Sequence, residues 1–213
     1  LEGVNFNNAF LQGANLSFSN LQESFLSFVD FQGADLSFSD VSDSDVIASG
    51  FIGANLMGTD FSGSDLSFSD FISADLSDAD FSDARLDFID LRGAIINDAT
   101  LLGEKWRMIW QLVNDPSADR ELPGVDLSTA ILFQLDLSNA NLEGANLSST
   151  DLGSVNLSGA NLAEANLSGA NPPGPNPKGE ALAGVAPHRW APAGAAPYGV
   201  RRDARGAPRP SLP

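Results

Sequence analysis

The chain has 213 residues with 28 Asp and Glu against 11 Lys and Arg, which gives a formal net charge of −17, and it contains no Cys. Thiol chemistry and Cys-based metal sites are therefore excluded, and no apolar run reaches the length of a membrane span. Residues 1–170 hold 26 acidic and five basic side chains, whereas residues 171–213 hold two and six. A body this acidic repels nucleic acid and anionic membranes, so we expect neither direct nucleic-acid binding nor membrane insertion.

A five-residue phrase organises residues 1–103. A large apolar residue, here termed the centre, occurs at every fifth position from Phe6 to Leu101, which gives 20 copies. The side chain two residues before each centre is small or β-branched, and the residue in between is mostly Asn or Asp. A period of five fits neither the helical nor the strand repeat. It predicts a solenoid in which each unit buries its centre by stacking on the next.

This phrase, clear in residues 54–58 (ANLMG), resembles the A(D/N)LXX pattern of the pentapeptide-repeat family. The resemblance implies a right-handed quadrilateral parallel β-helix, an all-β fold with four repeats per coil, in which residues 20 apart stack. Residues 1–103 would form about five coils, and a second run at 125–170 about two. One interior column would then contain Leu21, Val41, Phe61, Phe81 and Leu101.

Aspartates dominate the position before the centre in the first run. On the implied geometry, Asp60 stacks on Asp80, and Asp70 on Asp90, about one strand spacing apart. Such columns are either a solvated face that favours solubility or an acidic surface that takes the place of DNA on a partner. Metal binding by these carboxylates is disfavoured, and we expect no metal.

Phe also occurs two residues after the centre, a position that normally points outward. Phe18 and Phe38 are predicted to stack on one face, and Phe68 and Phe88 on another. Either each ring fills a corner of the coil, or the rings form exposed stripes that bind a protein partner or a second copy of the chain.

Residues 104–124 interrupt the phrase, and the apolar spacing of Glu104–Asn114 predicts a helix within this insertion. Trp106 and Trp110 either pack this helix against the side of the solenoid or form a docking surface for a partner. The insertion is similar to helical insertions in cyanobacterial members of the family.

The last segment, residues 171–213, is rich in Pro, Ala, Gly and Arg and is predicted to be disordered. A non-native origin of this segment, or its basic tail folding back on the acidic coils, are the alternatives. Because Leu1 already lies within the repeat, we expect native sequence upstream of it.

No catalytic motif occurs, since the single histidine is His188 and a filled β-helix offers no cleft. We therefore expect no enzyme activity and no cofactor, and a cytoplasmic location by default. The predicted function is a non-enzymatic structural or protein-interaction module, a rigid acidic β-helical rod whose protein partner the sequence does not identify. The alternative, implied by the resemblance to quinolone-resistance members, is a DNA mimic that binds DNA gyrase or topoisomerase IV.

Overall fold

The computed structural model describes residues 1–171 and two short strands, β1 (Arg201–Arg202) and β2 (Pro208–Arg209). The two strands pair antiparallel. Apart from Asn171 and these strands, the segment predicted to be disordered lies outside the described residues.

Two compact units make up the chain: Leu1–Trp110 together with Gly199–Pro213, and Gln111–Tyr198. The helix α1 comprises Glu104–Asn114, the segment whose apolar spacing predicted it. Within the part of the chain that the structure describes, no helix is long and apolar enough to cross a bilayer.

Parallel β-bridges join most residues that precede a centre to the residue 20 positions later. In the first unit they begin with Asn5 and Phe25, and in the second they end with Asp151 and Asn171. Each bridge is a single residue, so the coils are stacked turns with four bridges each rather than runs of regular strand. The 20-residue stacking agrees with the predicted β-solenoid, whereas its right-handedness stays a prediction from the resemblance.

All five backbone N–H groups of a repeat find partners, as Ala54–Gly58 illustrates. The amides of the centre and of the last residue donate to carbonyl oxygens of the following coil, both at 2.8 Å. The amide before the centre donates to the preceding coil at 2.9 Å, and the first amide closes the corner at 3.0 Å. The remaining amide donates to the side-chain oxygen of Asn55 at 3.3 Å. Because every amide of the repeat is hydrogen-bonded, the backbone can be packed without forming extended strands.

The centres form ladders of like side chains in the first solenoid, which we define as residues 1–102. The rings of Phe31, Phe51 and Phe71 stack with 5.0 Å between successive centroids. Inward Ser and Thr side chains add hydrogen bonds between coils, as Ser64 does by donating its hydroxyl to the Val41 carbonyl at 2.7 Å. The interior is therefore apolar at its axis and hydrogen-bonded at its edge.

The predicted register is wrong at the end of this solenoid. Leu101 is 54% exposed, whereas Leu102 is 7% exposed and takes the interior position. The last turn contains one extra residue, because the side-chain oxygen of Asn97 accepts the amides of Ala99 and Thr100 at 3.1 and 3.0 Å. Thr100, which is buried, thus replaces Ala99 as the inward residue.

The second solenoid, residues 121–171, begins earlier than the sequence suggested. Glu121 already bridges to Asn141, and Leu122 is buried. The parallel ladder therefore resumes four residues before the expected start at residue 125 and continues to Asn171.

The register correction predicts unequal effects of two neighbouring substitutions. Leu102→Ala should lower the free energy of unfolding by about 2–4 kcal/mol, because it empties a buried position. Leu101→Ala should change it by less than about 0.5 kcal/mol, since that side chain faces solvent. Urea unfolding followed by circular dichroism measures both free energies of unfolding. A larger decrease for Leu101→Ala than for Leu102→Ala would contradict the observed register and support the one predicted from the sequence.

Candidate docking face of the first solenoid

The corner residue of each repeat, two after the centre, has a left-handed backbone conformation. Phe18, Phe28, Phe38, Phe68 and Phe88 occupy such corners with φ between 56° and 66°. Glycine adopts this conformation freely, whereas a side chain with a Cβ is disfavoured there. Phenylalanine therefore occupies these corners although their left-handed backbone conformation favours glycine.

The Phe18 and Phe38 rings form an exposed stacked pair. Their centroids are 5.3 Å apart with 17° between the planes, and the residues are 77% and 48% exposed. Phe38 leans towards the following coil, because a Cβ added to Gly58 would lie only 2.6 Å from its ring. Gly58 thus provides the space that the ring uses.

The second predicted pair is also stacked but is less exposed. The rings of Phe68 and Phe88 lie 4.9 Å apart with 6° between the planes, and both residues are half-buried. This pair has the character of corner filling, whereas the first pair remains open to solvent.

Three further Phe residues of the first solenoid are exposed that were not among the candidate partner-binding residues. Phe10 is 81% exposed, Phe25 48% and Phe28 53%. Phe10 and Phe25 occupy the position before the centre, which normally holds Asn or Asp and points outward. An aromatic residue at that position was the sequence signal for an exposed ring.

A column of three stacked aspartates lies beside the exposed pair. Asp40 bridges to Asp60 and Asp60 to Asp80, and one carboxylate oxygen of each accepts the amide two residues later at 2.8–3.0 Å. Among the described residues, no Lys or Arg forms an ion pair with these three carboxylates. A neighbouring column differs, because Arg85 lies 3.5 Å from Asp65.

The prediction that Asp70 and Asp90 belong to an acidic face is wrong. They bridge to each other as expected, but they are only 2% and 1% exposed. The Asp90 carboxylate is bound by Arg92 through a contact of 2.6 Å, so its charge is compensated. Asp60 and Asp80 stay partly exposed.

The helix tryptophans are engaged with their own unit. Both Trp106 and Trp110 are half-buried and pack against the core of the first solenoid. The indole N–H of Trp110 donates to the Ala94 carbonyl at 2.7 Å, and the Lys105 ammonium lies 5.1 Å from the Trp106 ring centroid. These contacts support the packing interpretation, and a docking role for the two rings stays a prediction.

The residues before the centres have a structural task that the sequence analysis did not identify. Where these residues are Asn or Asp, the side-chain oxygen accepts the amide two residues later, which closes an Asx turn in most repeats. At Asp35, hydrogen bonds from the Ser37 hydroxyl and amide, with a contribution from Asn55, hold the carboxyl pKa below its usual value. Asp and Asn can both fill this position because each has the required oxygen.

Within residues 1–171 and the two short strands, no group of three or more His, Asp or Glu side chains could hold a metal ion. The first solenoid presents a candidate interaction surface, here termed the docking face, which we define as Phe18, Phe38, Asp40, Asp60 and Asp80. Stacked rings next to uncompensated carboxylates are suited to a cationic partner.

Stacked coils with one buried centre in five residues define a β-solenoid repeat protein. The chain belongs to the pentapeptide-repeat family, whose model, described as pentapeptide repeats, matches well over half of it in eight copies. The matches cover residues 1–37, 9–46, 42–78, 74–103, 121–148 and 140–171. This confirms the resemblance seen in the sequence. No curated protein sequence matches the chain.

Solved structures similar to this chain include pentapeptide repeat proteins from cyanobacteria. Rfr23 from Cyanothece 51142 is 29% identical over 45% of this chain and 65% of its own, with a TM-score of 0.44. HetL from Nostoc sp. strain PCC 7120, involved in heterocyst differentiation regulation, is 28% identical over 80% of this chain and 73% of its own, with a TM-score of 0.37. Full-length QnrB1, a plasmid-mediated fluoroquinolone resistance protein, is 16% identical over 88% and 82%, with a TM-score of 0.20. TM-scores this low support no conclusion about function.

The Asx turn at Asp35 predicts a pH-dependent effect. The folded-state pKa lies below the ordinary value of 3.8, so the unfolded chain takes up the proton first on acidification. The contribution of the carboxylate to stability is therefore complete above that value and is lost as pH falls through the folded pKa. Relative to Asp35→Asn, wild type should lose free energy of unfolding below about pH 4.

Urea unfolding at pH 3 to 7 measures this difference. Asp35→Asn keeps the turn acceptor and Asp35→Ala removes it, so the alanine variant should be the less stable of the two at every pH. A constant difference between wild type and Asp35→Asn across this range would contradict the assignment.

Proposed function

We propose that this protein is a non-enzymatic protein-interaction module that binds its partner through the docking face of the first solenoid. The exposed Phe18 and Phe38 pair carries this proposal. Each ring sits at a corner whose backbone favours glycine, and neither ring contributes to the buried core. Contiguous exposed apolar groups mark interaction sites, and aromatic side chains contribute much of the binding energy at such sites.

The family supports a binding role without identifying the partner. A solenoid of stacked repeats presents extended surfaces for binding, and no group of His, Asp and Glu side chains that could hold a metal ion occurs among the described residues. The partner of this chain is therefore expected to be a protein that contacts both the rings and the adjacent carboxylates. A second copy of the chain is disfavoured at this face, because its carboxylates would repel each other.

A second candidate function is mimicry of DNA on a type II topoisomerase. The column of Asp40, Asp60 and Asp80 favours it, because three carboxylates are stacked there without a compensating cation among the described residues. Asp70 and Asp90 are not part of this surface, since both are buried. The negative region is therefore narrower than the sequence suggested.

The interaction proposal predicts that Phe18→Ser with Phe38→Ser abolishes partner capture and leaves the melting temperature within about 2 °C of wild type. The matched control is Phe68→Ser with Phe88→Ser, which should lower the melting temperature because those rings are half-buried. Affinity capture from a cyanobacterial lysate, quantified by mass spectrometry, tests the first variant. Equal capture by wild type and that folded variant would refute this use of the rings.

The mimicry candidate predicts an effect on gyrase at micromolar protein. Wild type should inhibit supercoiling or protect it from a fluoroquinolone, and the triple variant Asp40→Asn, Asp60→Asn, Asp80→Asn should not. The Asn side chains retain the turn acceptors, so loss of the effect would report charge rather than unfolding. A supercoiling gel in which wild type has no effect eliminates this candidate.

A further inference from the structure

The last turn of the first solenoid is compatible with two registers of the chain. The five-residue period runs without a slip to Leu101, which predicts Ala99 and Leu101 as inward residues. In the structure the turn is shifted by one residue, so that Thr100 and Leu102 are buried and Leu101 is exposed. Leu101 therefore bridges to Asp80 across 21 residues, whereas every other bridge described in this solenoid joins residues 20 apart. Either register places one leucine in the interior.

The hydrogen bonds to the preceding coil are equally available in both registers. In the observed register, the Leu101 amide donates to the Ala79 carbonyl and the Leu101 carbonyl accepts the Phe81 amide, both at 2.9 Å. A 20-residue spacing would transfer both bonds to Thr100 without losing either. The choice between the registers therefore depends on contacts outside this ladder.

Two side chains of α1 donate to carbonyls at positions that accept backbone amides in earlier coils. Every fifth-repeat equivalent of Ala94 in the preceding coils, at positions 14, 34, 54 and 74, accepts an amide of the following coil at 2.9–3.0 Å. The Ala94 carbonyl accepts the Trp110 indole N–H at 2.7 Å. On the next side of the coil, the Thr100 carbonyl accepts the Arg107 guanidinium N–H at 2.6 Å. At two adjacent positions, α1 thus supplies the donors that a further coil would supply.

The Arg107 contact links α1 to the register of the last turn. In the observed register Thr100 is the inward residue, and its carbonyl is available to α1. With a 20-residue spacing, Thr100 would directly precede the centre. Its carbonyl would then face the preceding coil and accept the Phe81 amide, as the Leu101 carbonyl does in the structure. The contact between Arg107 and Thr100 and the 20-residue register therefore exclude each other.

We propose that α1 and the last turn form a two-state switch. With α1 docked, Thr100 and Leu102 are inward. With α1 released, the turn returns to the uninterrupted period, so that Ala99 and Leu101 are inward and Leu102 is exposed. The second register is accessible because it also buries a leucine and keeps both bonds to the preceding coil. Any ligand that binds one state of α1 more tightly shifts the register by its differential affinity.

The switch changes the end of the docking face. Leu101 occupies the position after Asp80 in the aspartate column and is 54% exposed, so the docked state ends this column with an apolar side chain. In the released state, Thr100 takes that position and the column ends with a polar side chain. A partner that contacts an apolar group at this end would select the docked state. Only this consequence rests on the proposed function, and the switch itself does not.

Methyl NMR of the full chain with a soluble gadolinium chelate tests the switch without altering either leucine. In the wild type, the relaxation enhancement should be larger for the methyl groups of Leu101 than for those of Leu102. Arg107→Met with Trp110→Phe removes the two donors and retains apolar side chains, so the larger enhancement should shift to Leu102. The matched control is Gln111→Met, which alters an exposed side chain of the same helix and should behave as the wild type.

A residue exchange tests the coupling from the opposite direction. Ala99→Thr with Thr100→Ala keeps the composition and moves the inward hydroxyl to residue 99, at the 23-residue spacing by which Thr59 donates to the preceding coil. This variant should bury Leu101 and release α1. The Trp110 indole N–H should then exchange at least about tenfold faster than in the wild type, because the released state changes from a population of about 10% or less to the major one.

The same measurements can overturn the proposal. An increased enhancement of both leucines in the donor variant would show that the turn frays instead of changing register. Unchanged enhancements in either variant would show that the register does not depend on α1. The methyl groups of Leu56, a fully buried residue, should stay protected in every variant and report that the solenoid is folded. If the donor variant does not fold, the residue exchange decides. No partner is present, so failure here is independent of a failed partner capture.

Discussion

The left-handed corner that ends each five-residue repeat is the constraint on which the rest of the structure depends. The corner φ lies between 53° and 74° at every fifth residue from 3 to 93 and from 124 to 169. This conformation turns the chain sharply, so that only the centre and the small residue before it point inward. The coil-to-coil hydrogen bonds and the Asx turn then satisfy the amides that an extended strand would have paired differently.

The same corner decides what the outer surface can do. Asp70 and Asp90, which follow the half-buried corner residues Phe68 and Phe88 by two positions, are buried. Where the corner is Gly58, the nearby Asp60 remains partly exposed and uncompensated. The column of Asp70 and Asp90 is thus buried, with Asp90 paired to Arg92. The column of Asp40, Asp60 and Asp80 is instead partly exposed and negatively charged.

The periodic part of this fold could be predicted from the sequence, and its exceptions could not. The resemblance to the pentapeptide-repeat family implied the stacking distance of 20 residues, and on that distance the five-residue period placed Phe on Phe and Leu on Leu. The extra residue after Ile96 escaped prediction, since Leu101 and Leu102 are both suitable centres and the choice depends on the hydrogen bonds of Asn97. The burial of Asp70 and Asp90 also escaped prediction, because the five-residue pattern gives them the same position in the repeat as the partly exposed Asp60 and Asp80. The exposure of Phe10 could have been predicted, because the position before the centre normally holds a polar residue that points outward.

The most direct test of this account is native-state hydrogen exchange resolved by residue on the full chain. The account predicts that centre and corner amides such as those of Leu56 and Gly58, bonded between coils at 2.8 Å, exchange only through global unfolding. The amide of Met57, bonded to the Asn55 side chain at 3.3 Å, should exchange much faster. Equal and rapid exchange of all three amides would contradict the claim that a backbone ladder between coils holds the solenoid together.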